Sequence, residues 1–162
     1  MRIAIIGFGA AAIGIMERLK ESQHEIHVFE KSADIYSSSI SGIRADGKLF
    51  VSSEMGGDIT IDTALQRKLV DYYINFTEKK NVETGTSFGS SRFYKVFYDR
   101  GFLPVTSEFF HIGTDQLKEV LFNIYTHLSG VKNIHFHFNS TVSSIKIEKE
   151  GVLLNGTEHF DM

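Results

Sequence analysis

The stretch "IAIIGFGAAAIGIMERL", residues 3–19, starts as a continuous β-branched run, breaks at Gly7 and Gly9, and resumes with apolar residues at helical spacing. The run over residues 2–6 suits a strand buried on both faces of a parallel sheet. Beyond the break, Ala12, Ile13, Ile15, Met16 and Leu19 mark one face of a helix over residues 10–20. Residues 25–30 alternate as a second strand through Ile26, Val28 and Phe29 and end in charge. Together they form a βαβ unit of about 30 residues.

A strand that turns into a helix through so little side chain leaves its backbone accessible. Gly7, Gly9 and Ala12 stand in the GxGxxA form of the dinucleotide fingerprint. In that pattern Gly7 permits the tight turn, Gly9 lets the main chain lie against a pyrophosphate, and Ala12 lets the helix sit close to the strands. The amides opening the helix, around Ala10, Ala11 and Ala12, would bind phosphate with help from the helix dipole. Glu30 follows Ala12 after 17 intervening residues. A carboxylate there accepts hydrogen bonds from ribose hydroxyls and repels a 2′-phosphate, which disfavours NADP. Lys31, next in the chain, joins the candidate cofactor-binding residues. The competing reading is a glycine-rich turn without a ligand, and the first 30 residues do not separate FAD from NAD.

Composition excludes several alternatives. The 162 residues are 42% hydrophobic and 23% charged, enough for one good core and one expected domain over 1–162. A net charge of −3 with scattered Lys and Arg offers no basic face, so no nucleic-acid partner is expected. The absence of cysteine excludes disulfides, thiolate metal sites and cysteine nucleophiles, and redox chemistry would need a bound cofactor. Arg2 before an apolar run imitates a secretion signal, but the paired glycines explain the same letters more fully. The run is far shorter than the ~20 residues that cross a bilayer, so no membrane partner and a cytoplasmic location are expected.

Farther along, residues 32–57 are rich in Ser, Gly and Asp and read as irregular and ligand-facing, with a weak strand at 48–52. A helix is expected over 61–78. Strands are expected at 93–97 and 102–105 around a turn at Asp99-Arg100-Gly101, with Pro104 marking an edge. Thr114 suits a cap for a helix over 115–128. Three short strands follow at 133–138, 141–148 and 151–155, the last two as a hairpin, and "TEHFDM" leads toward another strand, as in a piece of a longer protein.

Other constellations have plainer readings. Gly85-Thr86-Ser87-Phe88-Gly89 matches GxSxG, but a nucleophile elbow needs a strand before and a helix after, and a surface loop is expected instead. His135 and His137 share one strand face and could ligate zinc or copper. With no third ligand evident, a half-exposed strand is the reading, and no metal site is assigned. His111, beside Gly113 and Thr114, is read as structural. The aromatic residues Phe88, Phe93, Tyr94, Phe97, Tyr98, Phe102, Phe109 and Phe110 read as core or covered surface rather than a substrate cavity.

The GFGAAA turn with its terminal Glu30 resembles the FAD-binding domain of the flavoprotein superfamily typified by glutathione reductase. "SGIRADGKLFVSSEMGG" (41–57) and "FFHIGTDQLKEVLFNIYTHL" (109–128) look more narrowly like poorly characterised FAD-dependent dehydrogenases of bacteria and archaea. The resemblance implies that a strand at "STVSSI" brings the Val142 backbone to the adenine, and that Ser41 and Gly42 approach the flavin ring. It also makes Lys48 the candidate for positive charge near the flavin, against the plainer reading of a solvated turn lysine. The Pro or Gly usual to the family at Ala10 and Ala11 is missing, without harm to phosphate binding. Its Ala-Thr-Gly and later Gly-Asp segments are absent. The expectation is therefore an α/β, Rossmann-like parallel sheet with flanking helices and a small β-meander or hairpin. It would be the N-terminal part of an FAD-dependent oxidoreductase that binds the dinucleotide, an unknown small molecule and the remainder of its own chain, with NAD as a further possible co-substrate. The alternatives are an NAD-dependent dehydrogenase and a non-catalytic dinucleotide sensor.

Overall fold

A computed structural model describes residues 1–35, 47–53, 62–78, 83–87, 93–102 and 107–161. The chain forms two compact units, residues 1–44 with 121–162, and residues 45–120.

In the first unit, β1 (Arg2–Ile6), β2 (Glu25–Phe29) and β6 (Ile134–His137) form a parallel sheet in the order β1-β2-β6. The register sets Ile3 beside Ile26, Ile5 beside Val28, and those two beside Ile134 and Phe136, so one face is apolar. Helix α4 (Thr114–Ser129) ends on that side, with Tyr125 edge-on to Phe136 and Leu121, Ile124 and Leu128 buried. Helix α1 (Ala10–Leu19) buries Ala12, Ile13 and Met16 and lies beside α4, where Glu17 meets the His127 ring nitrogen at 3.0 Å. The other face carries Ala4, Glu25, His27, Phe29, His135 and His137. An antiparallel meander of β7 (Ile145–Glu148), β8 (Gly151–Leu154) and β9 (Glu158–Phe160) packs there through Leu154 and Phe160 on Phe29. The anticipated hairpin thus gains a third strand from "TEHFDM", while the strand expected over 141–148 is confined to β7. Asn155, at φ 50°, holds residues 141–144 out of the sheet: its side chain accepts from the Ser143 amide at 2.8 Å and donates to the Thr141 carbonyl at 3.0 Å.

In the second unit, β3 (Lys48–Val51), β5 (Ser107–His111) and β4 (Glu83–Ser87) make an antiparallel sheet in the order β3-β5-β4. Helix α2 (Thr63–Asn75) is capped by Asp62, which accepts from the Ala64 amide at 2.8 Å. Gln66 both donates to the Ser52 carbonyl and accepts its amide, and Arg67 forks onto Glu108. Neither β4 nor β5 was expected.

The strand expected at 93–97 is instead a helix, α3 (Phe93–Tyr98). Its aromatic residues have high strand propensity, but they pair at helical spacing. Tyr94 stacks on Tyr98, Lys95 meets Asp99 at 3.0 Å, and Gly101 at φ 83° ends the turn. Phe102 is not in a strand, and residues 103–106 lie outside the described residues. Among the described residues no helix is long and apolar enough to cross a membrane.

Candidate functional site

β1 ends at the glycine turn. Gly7 sits at φ 89°, where any other residue is strained, and its amide donates to the Phe29 carbonyl at 2.8 Å, extending the β1–β2 pairing by one bond. A Cβ built on Gly7 would meet no protein atom within 4 Å, so the turn faces open space. Gly9 caps α1 without a side-chain bond, and the helix has no acidic residue in its first turn. The first intrahelical bond runs from Ile13 to the Gly9 carbonyl, which leaves the Ala10, Ala11 and Ala12 amides with no partner inside the helix. Ala12 is buried, whereas Ala10 and Ala11 are exposed.

Glu30 is buried immediately after β2. One carboxylate oxygen accepts from the Phe8 amide at 2.9 Å; the other accepts from the Ser32 amide at 2.9 Å and the Ser32 hydroxyl at 2.8 Å. Burial pushes the carboxyl's pKa up. The Phe8 and Ser32 hydrogen bonds and the neighbouring Lys31 charge outweigh it and hold the group below the ordinary carboxylate value. An ionised carboxylate offers about four lone-pair positions, so three donors leave room for one more. Glu30 thus locks the turn from Phe8 and keeps a remaining acceptor.

Two cavities meet this turn. One of about 570 Å³ runs along β1 and is bounded by Gly7, Phe8, Gly9, Ala11, Ala12, Glu30 and Lys31. A smaller one of about 150 Å³ is bounded by Gly7, Glu30, Lys31, Ser140, Thr141 and Val142. The candidates Gly7, Gly9, Ala10, Ala11, Ala12, Glu30, Lys31 and Val142 are therefore gathered in one region of the first unit. Val142 arrives on the braced segment after β6 rather than on a strand, and it packs against the Phe29–Leu154–Phe160 cluster. The donors from Phe8 and Ser32 were not anticipated. A Ser two residues after the acid, able to bond back locally, was the available signal.

Ser41 and Gly42 lie outside the described residues. Lys48 begins β3 in the second unit, opposite His111. Ser87 of the GxSxG pattern ends strand β4 rather than lying in a surface loop, and Phe88 and Gly89 are outside the described residues. Gly85 is small for a packing reason: a Cβ there would come within 2.8 Å of the Phe109 ring. The aromatic residues separate, with Phe110 buried in β5 and Phe93, Tyr94, Phe97, Tyr98 and Phe102 exposed on and after α3.

Neither a family model nor a curated protein sequence matches the chain. Among solved structures, p-nitrophenol 4-monooxygenase PnpA from Pseudomonas putida DLL-E4 superposes with a TM-score of 0.56 at 16% identity, over 94% of this chain and 35% of its own. The fold is Rossmann-like. A mutant of PqsL from P. aeruginosa gives a TM-score of 0.55 at 11% identity, over 98% of this chain and 40% of its own. The pqsL structure described as a probable FAD-dependent monooxygenase from Pseudomonas aeruginosa gives 0.50 at 12% identity, over 98% and 39%. The chain spans well under half the length of these proteins.

Proposed function

We propose that this chain is the FAD-binding part of a flavin-dependent oxidoreductase, of the superfamily typified by glutathione reductase. One observation carries the reading: the open turn at Gly7, the unpartnered amides of Ala10 to Ala12 and the ionised Glu30 occupy one end of the β1–β2 pair. A diphosphate at the start of α1 would satisfy those amides and meet the positive end of the helix dipole, with no acidic side chain in the helix's own first turn. Glu30 has one acceptor position left for a ribose hydroxyl, and its charge opposes a 2′-phosphate. Val142, which borders the smaller cavity together with Glu30, is proposed to meet the adenine through its main chain. Lys48 is proposed as the charge near the flavin, with Ser41 and Gly42 approaching the ring. Bound FAD would supply hydride transfer, while these residues bind and orient it. The likeness to pqsL supports FAD over NAD, which shares the same ADP half; NAD remains a proposed co-substrate.

The test is calorimetric titration with ADP, FAD, NAD and NADP. ADP and FAD should bind, NADP should bind at least tenfold more weakly than NAD, and Gly9→Asp should abolish binding by placing a carboxylate where the diphosphate sits. Saturable FAD binding that Gly9→Asp leaves unchanged would refute the site, as would no binding of ADP or FAD to folded protein.

A further inference from the structure

The meander-facing side of the parallel sheet carries a second set of chemically active side chains, at the end opposite the glycine turn. Glu25 and His27 stand two apart on β2 and share this face, while His135 is the register partner of His27 on β6. Glu25 Oε2 lies 3.6 Å from His27 Nε2, and Oε1 lies 3.8 Å from His135 Nε2. One ligand atom from each residue falls within 4.8 Å of the others. His27 Nε2 is a buried side-chain nitrogen with no hydrogen-bond partner. On the other side of the same ring, Nδ1 is 3.0 Å from His137 Nε2. If Nδ1 carries the proton and donates it to His137, Nε2 presents a bare lone pair toward Glu25 and His135. That is the arrangement by which an outer imidazole orients a metal ligand.

We propose that Glu25, His27 and His135 form a binding site for a divalent transition-metal ion of the zinc class, with His137 as the positioning residue. Two imidazole nitrogens and one carboxylate oxygen suit zinc and its neighbours, whereas calcium and magnesium take oxygen ligands. Bond lengths of about 2.0–2.2 Å at tetrahedral angles separate donor atoms by roughly 3.3–3.5 Å, so a set whose ligand atoms lie within 4.8 Å of one another closes by up to roughly 1.5 Å when a metal binds. A cavity of about 780 Å³ bounded by Arg2, Lys20, His24, Glu25, Asn133 and His135 admits solvent to the cluster and leaves the remaining coordination position to water. The competing cation is Arg2, whose Nε lies 3.4 Å from Glu25 Oε2. It is anchored independently by the His159 carbonyl at 2.8 Å and by the Phe160 ring at 4.8 Å, so it can release the carboxylate without losing its place. His135 and His137, read from the sequence as a half-exposed strand with no metal assigned, are not paired ligands here; His137 stands behind His27. Five residue steps along β2, about 16 Å, separate Glu25 from Glu30, so this site does not depend on the dinucleotide reading.

The full chain, stripped with chelator, would be titrated with ZnCl₂ by calorimetry and with CoCl₂ by visible absorption. One equivalent should bind, with d–d bands of four- or five-coordinate Co²⁺ that Zn²⁺ abolishes. Affinity should fall at least tenfold in Glu25→Gln and in His135→Ala, two half-exposed positions where folding is retained and is checked by circular dichroism. His137→Phe should keep the stoichiometry and weaken binding by 10–100-fold, and His127→Ala should change nothing. Absence of saturable uptake, or equal affinity in Glu25→Gln and His135→Ala, would overturn the site and leave the cluster as an Arg2–Glu25 pair beside stacked imidazoles.

Discussion

Glu30 is 7% exposed, and its two oxygens accept three hydrogen bonds within the protein. Glutamine has nearly the same shape but turns one acceptor into a donor, so its amide nitrogen would face either the Phe8 amide or the Ser32 donors. Glu30→Gln should therefore cost about 1–3 kcal/mol in denaturant unfolding. It should also weaken ADP binding, because the turn that carries the free amides is tied down through Phe8. A variant that lost nucleotide affinity with unchanged stability would contradict the locking role assigned to the Phe8 bond. The residue type was legible in the sequence, since a carboxylate at the end of the second strand is part of the fingerprint. That most of its bonding capacity goes to the protein itself was not, because the Phe8 amide approaches it across 22 residues of chain.

The meander holds onto the sheet through few side chains. Phe160 is 3% exposed, sits edge-on to both Phe29 and His27, and carries Arg2 over its ring. Truncating it should cost about 3–5 kcal/mol, from lost transfer energy and a cavity that the short strands cannot close. Ile147, on β7 of the same meander, is 84% exposed, and Ile147→Ala should fall within about 0.5 kcal/mol of the parent. Chemical denaturation of the two variants checks the contrast, and similar values would mean that the meander does not dock through Phe160. Elements with a clean period, α1, β2 and α4, were readable from their spacing, whereas β1, expected to be buried on both faces, leaves Ile6 50% exposed. Residues 93–98 were not readable, because Phe, Tyr and Val favour strands in isolation. The i,i+4 pairs Tyr94–Tyr98 and Lys95–Asp99, closed by Gly101, outweigh that preference.

Across the whole molecule, one buried group and one partly buried group predict how stability responds to acid. Burial, followed by the Arg2 charge, holds His27 below the ordinary imidazole value despite Glu25, and hydrogen bonds hold Glu30 below the ordinary carboxylate value despite burial. In both cases the unfolded chain binds the proton more tightly than the folded one. Each group's contribution is therefore complete above its unfolded pKa and is lost as the pH falls through its folded pKa. Metal-free protein should lose stability in two stages, one beginning below about pH 6.5 for His27 and one below about pH 4.3 for Glu30. His27→Gln should remove the upper stage alone. Thermal unfolding from pH 8 to pH 3 measures this, and a single stage confined to low pH would contradict the assignment for His27.

The letters from Arg2 to Glu30 were sufficient for the βαβ start and the position of the turn, because strand, glycine break and helical period are local properties of adjacent residues. The absence of cysteine and the weak net charge were equally plain. Only the folded chain sets β6 beside β2, which turns four scattered residues, Glu25, His27, His135 and His137, into one cluster. Only the fold adds β9 to the hairpin and brings Val142 to Glu30. The contacts of β6 with β2 and of Val142 with Glu30 join positions more than a hundred residues apart. Composition and periodicity record which face of an element is apolar, and carry no record of which distant element covers it.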